Sequence, residues 1–95
     1  MQLLGIGFAK KSWISLTKKL QKQLTHQLNS ELFNDQRLNS DIEIKNKDFK
    51  NIIIDLFDLK PDWIIFSKDY FKNTETIIRL MDSLRTQSEK KINFV

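Results

Sequence analysis

Ninety-five residues, 40% hydrophobic and 11% aromatic with only 2 Gly and 1 Pro, suffice for one folded domain and are too apolar for a disordered tail. The lack of cysteine removes disulfides, thiolate metal ligands and cysteine nucleophiles, and the single His26 removes multi-histidine metal sites. The net charge of +4 is uneven, with 8 basic and 4 acidic side chains over residues 1–47 and 8 of each over 48–95.

Leu3 to Phe8 is a short apolar run closed by small residues, which predicts a first central strand and a tight turn into a helix. It has about half the length of a secretory core, with no basic region before it and no small-residue cleavage site after it. No apolar run approaches the ~20 residues that span a bilayer, so we expect a cytoplasmic chain with no membrane partner. Ser12 is a plausible cap for the helix, on which Trp13, Leu16, Leu20, Leu24 and Leu28 form the inner stripe and Lys11, Lys18, Lys19, Lys22 and His26 the outer one. Asn29 to Ser40 lacks a pattern and predicts a long connection, whose start could extend the helix. Asp41 to Lys45 alternates and predicts a charged edge strand.

Asp48 can cap a second helix with Phe49, Ile52, Ile53, Leu56 and Leu59 on one face, and Pro61 stops it. Trp63-Ile64-Ile65-Phe66 follows, apolar at every position, which predicts an interior parallel strand covered on both faces. Asn73 or Thr74 opens a third helix with Ile77, Ile78, Leu80, Met81 and Leu84 inward, and Lys91 to Val95 makes a last strand.

Strands alternating with helices, without hairpin signals, imply a parallel sheet with right-handed crossovers. We expect one α/β domain over residues 1–95, a three-layer sandwich with a four-stranded sheet in the order 2-1-3-4. It is Rossmann-like or flavodoxin-like and short for a complete fold of that kind. The final strand would be an open apolar edge, so residues 91–95 are expected to meet a protein partner or a second copy.

In open parallel sheets ligands bind beyond the carboxyl ends of the strands. Any small ligand is therefore expected near Gly7, Lys10, Ser12, Ser67 and Lys68, and an anionic nucleotide sugar or phosphate, weakly held, is the class that suits them. The simpler reading of Gly5-Ile6-Gly7 is a turn or close packing, because the third glycine of a dinucleotide fingerprint is missing and no Walker-type Gly-Lys-Ser/Thr occurs. No base accompanies Ser67, and no aromatics interleave with the lysines, so neither a catalytic constellation nor a nucleic-acid surface is expected. Asp55, Asp58 and Asp62 lie on a helix surface and a strand start, which argues against a metal site, and no cofactor is expected.

Pro61-Asp62, the apolar strand, Lys68, Glu75-Thr76-Ile77 and Lys91-Ile92-Asn93-Phe94-Val95 together resemble the amino-terminal domain of GT-B glycosyltransferases of the CgeB-like kind. The likeness is moderate over about 35 residues and loose over most of the chain. It implies a domain that faces the acceptor and is inactive alone, because a second Rossmann-like domain holds most of the nucleotide-sugar donor. The same Pro-Asp and apolar third strand are similar to a response-regulator receiver. There the strand ends in the phosphorylated aspartate, where this chain has Ser67, and Gly7-Phe8-Ala9 replaces the acidic pair that binds Mg²⁺. That resemblance implies a non-phosphorylatable domain that works through protein partners.

Overall fold

The computed structural model describes residues 1–95. Strand β1 (Gln2–Ile6) leads to helix α1 (Lys10–Gln23) and strand β2 (Asn29–Phe33); a 3₁₀ turn at Gln36–Asn39 precedes helix α2 (Asn46–Asp58). Strand β3 (Trp63–Phe66), a second 3₁₀ turn (Lys68–Tyr70), helix α3 (Thr74–Gln87) and the short strand β4 (Asn93–Phe94) complete the chain. The strands form one all-parallel sheet in the order β2-β1-β3-β4, with Leu4 beside Glu31 and Ile64 in register. This is the expected α/β class and strand order.

The second strand is not where alternation placed it. Residues 29–33 pair with β1, whereas Asp41–Lys45 is irregular, with Ile44 buried and Ile42 77% exposed. Asn29, Ser30 and Glu31 are exposed on a sheet edge, so this strand is defined by its backbone pairing to β1 and leaves no apolar signal. Arg79 of α3 holds this segment: its guanidinium donates to the Ile44 carbonyl at 2.7 Å and to Asn46 Oδ1 at 2.6 Å, and lies 3.9 Å over the Phe49 ring.

Helix ends also differ from expectation. The cap position of α1 is Ala9, not Ser12, and that of α2 is Lys45, leaving Asp48 in the first turn where a carboxylate complements the helix dipole. Helix α1 stops at Gln23 rather than reaching Leu28, because the Gln21 amide bridges the descent to β2: it donates to the His26 carbonyl and accepts from the Leu28 N–H. Asn73 caps α3 by accepting the Glu75 N–H at 3.1 Å. Lys60, in a left-handed conformation (φ 48°), turns the chain out of α2 into the buried Pro61.

The sheet buries its two faces unequally. Right-handed crossovers place α1 on one face, because the path from β1 to β2 runs opposite to the path from β2 through β3 to β4; α2 and α3 then share the other face. On that face Leu4, Ile6, Ile64 and Phe66 join Ile52, Leu56, Leu80 and Leu84 in the main core. On the α1 face Leu3 and Trp13 are buried, yet Trp63 is 36% and Val95 69% exposed and Ile65 is half-buried. The expectation that Trp63–Phe66 is covered on both sides is corrected accordingly. On this face one helix spans β1 and β2, and no helix lies over β3 and β4.

The final strand lies at the edge of the sheet. Asn93 N and Val95 N donate to the carbonyls of Asp62 and Ile64, so Phe94 between them turns its N–H and C=O outward along the edge. Ile92 is buried, and the Phe94 ring stacks on Phe66 at 6.0 Å with Arg85 5.0 Å above it.

Candidate functional site

The carboxyl ends of β1 and β3 lie side by side: Ser67 N donates to the Ile6 carbonyl at 2.9 Å, extending the ladder one residue beyond the strands. The sheet thus brings the turn at Gly7 and the start of α1 next to the loop that begins at Ser67. Ser67 and Gly7 are half-buried, while Lys10, Ser12 and Lys68 are exposed.

The crevice between these turns is already filled by the chain. Gly7 N donates to Asn34 Oδ1 at 2.8 Å, and Asn34 Nδ2 donates to the Phe8 carbonyl at 2.9 Å, so this side chain brackets the turn. Gly7 has φ +87°, and a Cβ there would stand 2.5 Å from Tyr70 Cβ; the residue serves a turn and a close approach. The Tyr70 hydroxyl donates to the Asp35 carbonyl at 3.0 Å, and burial, followed by the nearby Asp35 carboxylate, pushes the phenol up from its ordinary value. Asp35 is held below the usual carboxylate range chiefly by the hydrogen bonds of the Arg37 guanidinium, the closest at 2.6 Å.

What remains accessible is the amino terminus of α1. Ala9 offers no side-chain acceptor, the first turn contains Lys10 and Lys11 and no acid, and the Ala9 carbonyl takes the Trp13 N–H, leaving the preceding helical N–H groups directed outward. Lysines at the positive end of a helix dipole are unfavourable, and an anion between them relieves both effects. Five surface pockets lie elsewhere, and none of them is lined by Gly7, Lys10, Ser12, Ser67 or Lys68.

Asn34 and the Asp35–Arg37 pair lie within Asn29 to Ser40, a stretch without apolar periodicity. Their only local signal is Asn-Asp directly after the apolar pair Leu32-Phe33.

The opposite, amino-terminal end is closed by Asp62. Its carboxylate accepts the Gln2 N–H at 2.8 Å and the Lys90 ammonium at 3.0 Å, and these two hydrogen bonds, the Gln2 one larger, hold it below the usual range. Asp62 thereby fastens the starts of β1 and β3 to the approach of β4. No three His, Asp or Glu side chains converge as a metal site would need, and no helix is long and apolar enough to cross a membrane. Comparison with family models, with curated proteins and with solved structures finds no match to the chain.

Proposed function

We propose that the chain acts as a glycosyltransferase-like amino-terminal domain, without catalysis of its own, that meets an anionic nucleotide sugar or phosphate at the carboxyl edge of its sheet. The observation that carries this reading is the start of α1, where two lysines and uncapped backbone N–H groups stand beside the end of the central strand pair. The Gly7 turn plays no direct part, since its N–H is bound to Asn34. With the crevice occupied by Tyr70 and Asn34, contact is limited to the helix end and the Ser67–Lys68 loop, and affinity belongs in the millimolar range.

Titration of the ¹⁵N-labelled chain with UDP-glucose, and separately with inorganic phosphate, tests the proposal. We expect amide shifts at residues 10–13 and at Ser67–Lys68. No shifts, or shifts confined to the opposite edge around Asp41 and Asp62, would contradict it.

A second reading, a non-phosphorylatable receiver-like interaction domain, is favoured by Ser67 at the end of β3 in a 2-1-3-4 sheet. It gives no acyl phosphate with Mg²⁺ and a small phosphodonor. It also predicts no response to nucleotide sugar, which separates the two readings.

A further inference from the structure

The apolar groove on the α1 face, about 220 Å³, lies away from the carboxyl edge and has no part in the function proposed above. Leu20 of α1 and Leu24 just past its end form one wall, Leu3, Trp63 and Ile65 the floor, and Val95 the far side. Parallel sheets bury both faces in water, so bare strands at this position are a surface to be covered.

The gap admits one helix. Two strands about 4.8 Å apart leave room beside α1 for a single helix about 10 Å across. Its charge is set by the wall it meets. Residues 1–30 contain five lysines and no aspartate or glutamate. At 100° per residue, Lys19 lies one turn before Gln23 on the groove-facing side of α1, and Lys22 lies outward of it. Lys91, exposed ahead of β4, adds a positive charge near the other side, while the carboxylate of Asp62 is engaged by Gln2 and Lys90.

A second copy of the chain suits the groove poorly. It would bring another lysine-rich α1 against this one, and joining two β4 edges through Phe94 would leave both faces bare.

We propose that this groove docks an amphipathic helix of a partner protein, apolar on the side facing Trp63 and Ile65 and acidic along the edge that runs beside Lys19 and Lys22.

The test uses three probes on the full chain: a synthetic amphipathic peptide of about 18 residues with leucines on one face and glutamates flanking them, the same peptide with every glutamate replaced by lysine, and phosphatidylglycerol vesicles. The glutamate peptide should shift the Trp63 indole and the methyls of Leu24 and Val95, and bind at least roughly tenfold tighter than the lysine peptide. Lys19→Glu/Lys22→Glu, at two exposed positions, should reverse that preference without unfolding the chain. Equal affinity for the two peptides, binding of neither, a response to vesicles alone, or a concentration-dependent dimer that covers Trp63 would each overturn the proposal.

Discussion

Replacing Gly5 with valine will leave the chain largely unfolded, and alanine at the same position will cost about 1–3 kcal/mol. Gly5 lies in the middle of β1 on the α1 face, and the six-membered ring of Trp13 rests directly on its Cα; a Cβ there would sit 2.6–2.7 Å from three ring carbons. The ring cannot swing aside cheaply, because it is 4% exposed and packs on Phe8 at a centroid distance of 5.2 Å. Moving it would also lift α1 from the only sheet surface it covers. Domains of this size hold about 5–15 kcal/mol in total, so a branched side chain in that contact takes a large fraction of the stability. Urea unfolding should show the loss as a lower midpoint. In a Trp13→Leu background Gly5→Ala should cost under about 1 kcal/mol, because the clash, and not strand propensity, is its cause.

Ile64→Ala should cost about 2–5 kcal/mol, whereas Trp63→Ala, one residue away in the same apolar run, should cost less, about 1–2 kcal/mol, because its removal leaves no enclosed cavity. Ile64 is fully buried between β1 and β4, under α2 and α3, and its removal leaves a cavity that surrounding helices cannot close. Trp63 points to the α1 face and is already 36% in water. The larger side chain is thus the cheaper one to delete. Equal urea midpoints for the two variants would show that both faces are covered alike.

These two positions also mark how far the sequence carries. The run from Trp63 to Phe66 announces a central parallel strand, and the amphipathic stripes announce the helices around it. Local pattern does not say how many helices land on each face. That number follows from the reversal of direction between β2 and β3, which doubles α2 and α3 on one side. Strand β2 was illegible for a different reason: at a polar edge the backbone supplies the pairing, and Asn29, Ser30 and Glu31 need not be apolar. Ile42 and Ile44 imitate a strand through alternation alone, since only Ile44 enters the core. At the carboxyl edge the placement of Gly7, Lys10, Ser12, Ser67 and Lys68 followed from topology. The Asn34 bracket and the Tyr70 plug join residues 27 and 63 positions apart from Gly7, beyond the range of any local pattern.

The two tryptophans report directly on the bare face over β3 and β4. Acrylamide quenching should be measured on Trp13→Phe, in which Trp63 alone emits, and on Trp63→Phe, in which Trp13 alone emits, across a range of dilutions. Trp63 should be quenched several-fold more efficiently than Trp13 at every dilution, as their exposures of 36% and 4% require. Equal shielding of the two in dilute solution would contradict it, because the second face of the sheet would then already be covered.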